Sequence, residues 1–329
     1  MNSITRTWIA SAAALGLWGG AVAAQDISLT LAHVAPPQTT YQDAAVRFAE
    51  NLADLSGGTM AVDIVPGGAL GAMPELWAQT RSSSLDLHLI DIGAMIAMRE
   101  ARPFLVLFAP YLFEDQDHLR RYMNSDVFEG MMDEVEAATG VVYLGYVGDR
   151  PPRIVTTAET PVTTPADLDG LRIRTPQHPF IISTFEAWGA TSQAIGAAEL
   201  LISLQTGVVD GQDNGVIDFI GAGYAEANKY VAPIDYIHSG IGVWMSPDKW
   251  ASLSAEQQGW LTAAAQQAGS DGAAIHDQQM ADSYAALEGL GVTVTEPDIE
   301  AFRAAVAPMV SGMDGKAWPE GLFDTISGL

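Results

Sequence analysis

The sequence predicts an α/β protein built as two lobes, and three observations carry that expectation. Short β runs alternate with amphipathic helical stretches, the pattern of sheets layered with helices. No Pro/Gly/Ser-rich boundary divides the chain, so lobes joined by several crossings fit better than consecutive beads. The 329 residues include no cysteine, and a chain of this length can bury enough apolar surface without disulfides.

The first residues read as an export signal over Met1–Ala24. Arg6 precedes an uncharged apolar stretch, Trp8–Val22, and the small residues Ala21-Val22-Ala23-Ala24 suit a signal peptidase. The stretch is short and rich in Gly and Ala for a membrane span, and no other segment reaches the ~18 apolar residues a span requires. No cysteine follows for lipid attachment. The expected mature protein starts near Ala24 or Gln25 and is soluble in the periplasm.

Ile27–Val34 alternates like a strand. Tyr41–Leu55 follows as a helix with Ala45, Phe48, Ala49 and Leu52 on one face, stopped by Ser56-Gly57-Gly58. Met60–Val65 is the next strand, closed by Pro66-Gly67-Gly68. A helix over Met73–Thr80 and a strand over Leu85–Ile90 come next. Phe104–Phe108 is an apolar run before Pro110, and Asp126–Ala138 is helical. Val141–Val147 and Ile154–Thr157 read as strands that Arg150-Pro151-Pro152 keeps from pairing continuously. Leu171–Thr175 is a strand, Ala197–Thr206 a helix stopped at Gly207, and Tyr236–Met245 extended and apolar. Ser254-Ala255-Glu256-Gln257 is a capping box opening a helix that runs to about Glu288, with Gly259, Gly269 and Gly272 as candidate breaks. A strand, Leu290–Val294, and a helix, Ile299–Val310, complete the chain.

Fifteen Lys and Arg face 40 Asp and Glu, a net charge of −25. That field argues against nucleic acid and anionic membrane surfaces as partners. It also repels anionic ligands at long range, so an anion site would need local arginines and backbone donors. Thiolate metal sites and cysteine nucleophiles are absent with cysteine itself. His33, His88, His118, His178, His238 and His276 show neither an i, i+4 pair nor a His-x-His. No nucleophile elbow, phosphate-binding loop or complete dinucleotide fingerprint occurs. The expectation is no metal, no cofactor and no catalytic residues.

The scarce arginines are more informative. Arg172 and Arg174 alternate in one strand, so their side chains point to opposite faces. One can be solvated while the other faces a core or a cleft, where its planar fork matches a carboxylate; the competing role is a structural ion pair. Arg150 and Arg153 flank two prolines. Asn214 ends a polar, turn-rich stretch, Asp210-Gly211-Gln212-Asp213, of the kind that lies at element ends where α/β sites sit.

Taken together, several segments resemble the extracytoplasmic solute receptors of TRAP transporters, the DctP-like family. They include His33-Val34, Ala44–Glu50, Ser56-Gly57-Gly58-Thr59, Pro66–Gly71, Leu85-Asp86-Leu87 and Ala109–Phe113. The most specific are Thr164-Pro165-Ala166-Asp167-Leu168-Asp169-Gly170-Leu171-Arg172-Ile173-Arg174-Thr175-Pro176 and Leu204–Asn214, in order and at matching spacing over nearly the whole mature chain. The resemblance implies a two-lobe periplasmic binding protein fold with a ligand cleft between the lobes and a long helix spanning both. Residues 25–150 would form mainly lobe I and 151–245 mainly lobe II, with helices of 246–329 packing across both.

The implied role is capture of a small organic acid for delivery to a separate integral TRAP permease, without enzymatic activity. The alternatives are a periplasmic enzyme acting on a small carboxylate and the receptor of an ATP-driven importer. The resemblance selects Arg174 for the ligand carboxylate, maps a second arginine to Arg153 with Arg150 as its rival, and maps the pocket asparagine to Asn214. Asp91, after the third strand, would accept from ligand hydroxyls, which favours hydroxy or sugar acids over C4-dicarboxylates. Two departures fall at the site. Ile195-Gly196-Ala197-Ala198 stands where relatives often carry an aromatic, and the Arg150–Arg153 stretch is one residue longer than usual.

Overall fold

The computed structural model describes residues 27–97 and 99–329; the export signal read over Met1–Ala24 lies outside the described residues. The chain opens with β1 (Ile27–Ala32), α1 (Thr40–Leu55), β2 (Met60–Val65), α2 (Met73–Arg81) and β3 (Leu87–Asp91). Helix α1 buries Ala44, Ala45, Phe48 and Leu52, the face its 3.6-residue period defines. Two 3-10 segments follow, Ile92–Ala97 and Arg99–Phe108, and the second carries the apolar run ending at Phe108 into the core. Then come α3 (Gln116–Met123), α4 (Asp126–Thr139) and β4 (Val142–Arg150).

After Pro151-Pro152 the chain enters a second sheet with β5 (Ile154–Thr157), β6 (Arg172–Thr175), α5 (Pro179–Ala187), β7 (Thr191–Ala194), α6 (Ala197–Gln205), β8 (Gly211–Asn214), α7 (Val216–Gly221) and β9 (Tyr230–Ala232). It returns through β10 (Ser239–Met245) and α8 (Pro247–Ser252) to α9 (Ala255–Leu287), and ends with β11 (Thr293–Val294), α10 (Ile299–Met313) and α11 (Leu322–Ser327).

These strands form two sheets, one per lobe. The first has the order β2-β1-β3-β10-β4, and the second β11-β9-β5-β8-β6-β7. In the first, β1 runs parallel to β2 and β3, while β10 lies antiparallel between β3 and β4. Strand β10 thus belongs to the first sheet although it falls within residues 151–245, and β11 joins the second from the last third of the chain. The lobes interleave because the chain crosses between sheets at Pro151–Arg153 and again between β9 and β10.

Two sequence expectations are corrected. The stretch Asp210–Asn214, read as a turn, contains β8, held between β5 and β6 in the interior of the second sheet. Its polar side chains hid it from an apolar periodicity test. Gln212 and Asp213 are nevertheless fully buried, with Gln212 donating to Thr156 Oγ1 at 2.8 Å and Asp213 accepting from Arg153. The second correction concerns α9, which runs unbroken for 33 residues, about 50 Å.

Ser254 and Gln257 close the capping box that starts α9. Leu261, Ala264, Ala265 and Ala268 join the first lobe's core, while Met280, Tyr284 and Leu287 pack in the second lobe. Gly269 and Gly272 are buried rather than helix-breaking. A Cβ at Gly269 would run into the carbonyl oxygen of Tyr146 on β4, so the glycine lets helix and strand approach closely.

Glycine-to-alanine exchange should therefore have opposite effects at two positions of α9. Gly269→Ala is expected to destabilise the protein by about 1–3 kcal/mol through overpacking, despite alanine's better helix propensity. Gly259→Ala, where nothing lies within 4 Å of the added methyl, should stabilise by up to about 1 kcal/mol. Urea unfolding midpoints of the two variants check both signs; equal shifts would contradict the close-packing role.

Candidate functional site

A cavity of about 520 Å³ is walled by both lobes. All four residues singled out in the sequence, Arg174, Arg153, Asn214 and Asp91, line it, and so does Arg150. They sit at or beside strand ends: Asp91 closes β3, Arg150 closes β4, Arg153 directly precedes β5, Arg174 is the third of four residues in β6, and Asn214 ends β8. Strand ends at which the chain passes between lobes are natural ligand positions in α/β folds.

The three cavity arginines are buried and differ in their partners. Arg150 donates to Asp91 Oδ2 at 3.1 Å, Asn214 Oδ1 at 2.7 Å and Asp218 Oδ2 at 3.0 Å, with its guanidinium 5.2 Å from the Tyr41 ring centroid. Burial opposes its charge, but Tyr41, Asp218 and Asp91 outweigh burial and leave its pKa raised. Arg153 donates from Nε to Asp213 Oδ2 at 2.5 Å, and Tyr236 donates to the same oxygen at 2.5 Å. There too Asp213 outweighs burial and the pKa is raised.

Arg174 has no carboxylate partner among the described residues. Its Nε donates to the Ile195 carbonyl at 2.8 Å, which fixes the plane of the guanidinium, and neither Nη group has an acceptor among the described residues. Burial pushes its pKa down to about 10, with Arg153 and Arg150 adding repulsion that Asp213 and Tyr224 only partly offset. Its strand neighbour Arg172 points the other way, half exposed and paired with Asp210 at 2.5 Å. The period of two thus separates a solvated arginine from a cavity arginine.

Asp91 is committed within the protein. Its carboxylate accepts from Arg150, from Ser239 Oγ at 2.7 Å and from the Gly93 N–H at 3.0 Å. Asn214 Oδ1 accepts from Arg150 and from the Gly215 N–H at 3.1 Å, so its Nδ2 is the end left for a ligand.

Sequence reasoning missed three residues of this site. Asp218, on α7, accepts from the Thr40 N–H and Oγ1, both at 2.9 Å, as well as from Arg150. Since Thr39 makes no side-chain cap, Asp218 caps α1 from the opposite lobe. Tyr41, beside Thr40, lines the cavity under Arg150. His178, the N-cap of α5, lines it as well: Nδ1 accepts from the Phe180 N–H at 3.2 Å, which puts the proton on Nε2. The His178-Pro179 pair was a legible helix-start signal; nothing in the sequence linked Asp218 to Thr40.

The model of the family described as bacterial extracellular solute-binding protein, family 7 (DctP), matches residues 31–316. This chain belongs to that family. A solute-binding protein of Roseobacter denitrificans is 28% identical over 89% of each chain. That protein's crystal structure, with bound L-galactonate, covers 88% of this chain and 99% of its own at a TM-score of 0.79. A TRAP periplasmic solute-binding protein from Bordetella is 26% identical, with a TM-score of 0.84 over 92% of this chain and 98% of that one. The 2,3-diketo-L-gulonate-binding periplasmic protein of Escherichia coli is 27% identical over 84% of both chains.

Within this family 7 protein the Arg150–Arg153 stretch supplies two arginines to the site. Both arginines reach the cavity and each finds its own carboxylates. Ile195, Gly196, Ala197 and Ala198 line the cavity.

The titratable groups at the cavity set a pH profile. Burial pushes His178 down to about 3, so it stays neutral across the physiological range. Arg174, pushed down to about 10, loses its proton only in strong alkali. Carboxylate affinity should therefore be flat from about pH 5, above a ligand carboxyl's own pKa, to about pH 9, and fall as pH rises through Arg174's value. Calorimetry across that range checks this; a step near pH 6–7, the ordinary histidine range, would contradict it.

Proposed function

We propose that this protein captures a small carboxylate in the periplasm and delivers it to a TRAP-type permease. The observation that carries this reading is the unpaired Arg174. In a chain with 40 acidic residues, a buried guanidinium that lines a cavity and pairs with no carboxylate among the described residues is suited to an external anion. A carboxylate supplies two oxygens for that fork. Burying an uncompensated cation is costly, and the cost falls when the ligand arrives.

Family membership supports the class of cargo, and the relatives' L-galactonate and 2,3-diketo-L-gulonate are both acids. The two-lobe frame supports the mode: lobes that close on a ligand exclude water, strengthen the ion pair and alter the outer surface that a permease reads. Arg153, Asn214 and Arg150 would orient the anion around Arg174, with Asp91 positioning Arg150. A receptor role also predicts that the bound acid is released unchanged.

Arg174→Ala should weaken carboxylate binding by well over tenfold, in keeping with about 2–5 kcal/mol for a truncated buried charge pair. Arg174→Lys should weaken it too, because the planar fork is lost. A thermal-shift screen of hydroxy, keto, sugar and dicarboxylic acids should find at least one acid that raises Tm by mass action. Unchanged affinity in both variants, or turnover of the bound acid by the purified protein, would overturn the reading.

A further inference from the structure

Once Arg174 is assigned to a carboxylate, the rest of the cavity describes what that carboxylate is attached to. The polar side chains deepest in the site are already spent on one another. Asp91 is shared among Arg150, Ser239 and Gly93, Arg153 is held by Asp213, and the Tyr41 oxygen accepts from the Asp91 N–H at 3.2 Å. Among the described residues, the groups still free are Arg174's two Nη groups, Asn214 Nδ2, the buried His178 Nε2 and the amide of Gln177 at an exposed position. The buried ones are all hydrogen-bond donors, and the acceptor oxygen of Gln177 stands at an exposed position.

Carboxylate acceptors for ligand hydroxyl protons are correspondingly scarce. Asp91 and Glu199 are the only acidic side chains on the cavity wall, and Asp91 is engaged while Glu199 is exposed to solvent. Apart from the exposed Gln177, the remaining side chains of the wall are hydrocarbon, among them Val34, Met73, Ala94, Phe108, Ile181 and Ile195. Phe108 and Ile181 belong to the main hydrophobic core, and the Phe108 ring stands edge-on to His178 at 4.3 Å, so neither is free to turn away.

We infer that the cargo is a carboxylate with an apolar, branched or aromatic body, bearing at most an oxo or hydroxy oxygen beside the carboxyl, rather than a polyhydroxylated sugar acid. This rests on the carboxylate reading above and narrows it. The donors cluster where the carboxylate and its neighbouring oxygen would lie, and the hydrocarbon wall takes the rest of the molecule. A polyol chain would bring several hydroxyl protons to a buried wall whose one carboxylate is engaged, the acceptors of Gln177 and Glu199 standing at exposed positions, and each buried hydroxyl left without a partner costs affinity. A branched hydrocarbon body meets that wall with a net gain. The same contrast separates sites that specify hydroxyls from those that do not.

The test is calorimetry on the mature, signal-free protein with three acids: 4-methyl-2-oxopentanoate, 2-hydroxy-4-methylpentanoate and L-galactonate. The expected result is that at least one of the two branched acids binds more tightly than galactonate by roughly tenfold or more. Ile181→Asn, which places an amide on the apolar wall, should narrow that ratio. Galactonate binding equal to or tighter than both branched acids, with its affinity lost in Arg174→Ala, would overturn the inference while leaving the carboxylate site standing. Binding of none of the acids, nor of any acid in the wider thermal-shift screen, would overturn both.

Discussion

The organisation of this molecule turns on a single unneutralised cation. Arg174 is buried on a strand of the second sheet, its plane fixed by the Ile195 carbonyl, and no carboxylate among the described residues pairs with it. Keeping a guanidinium in that state is unfavourable, and burial depresses its pKa accordingly. Ordinary packing would pair it with one of the many acids, as Arg172 is paired with Asp210 two residues earlier. The neighbouring acids are instead occupied by Arg150 and Arg153. Those two arginines act as the site's insulation: by holding Asp91, Asp213 and Asp218, they keep the protein's own carboxylates away from Arg174.

That insulation also ties the lobes together. Arg150 closes a strand of the first sheet and binds Asp91 from the same lobe, while Asn214 and Asp218 come from the second. Asp218 completes the bridge by capping α1 through Thr40. The ion pairs are buried, so their value lies less in net stability than in fixing which groups face which. The unbroken α9 gives the same pair of lobes a rigid common strut.

Much of the fold was legible in the chain. The amphipathic α1, the parallel strands around it, the capping box of α9 and the two prolines between sheets all follow from local periodicity and backbone rules. The misreadings share a cause. Strand β8 is polar because its side chains are satisfied by a neighbouring strand and by Arg153, which no local pattern reveals. The glycines of α9 looked like breaks because the oxygen of Tyr146 that makes a small residue necessary lies over 100 residues earlier. At the site, alternation separated Arg172 from Arg174 without deciding which was buried, and the pairing of Asp91 with Arg150 was not visible in the sequence.

The sequence by itself determined the class of elements, their order, the acidity that makes any anion site depend on local cations, and the short list of arginines able to supply one. Those properties are local or compositional, set by side-chain period, backbone restriction and counting. Only the tertiary structure decided which arginine is left without a partner, which carboxylates are spent and how much of the cavity wall is hydrocarbon. Each of those depends on groups brought together from strands far apart in the chain, and charge pairing in a buried site is settled by distance in space, to which sequence spacing is blind.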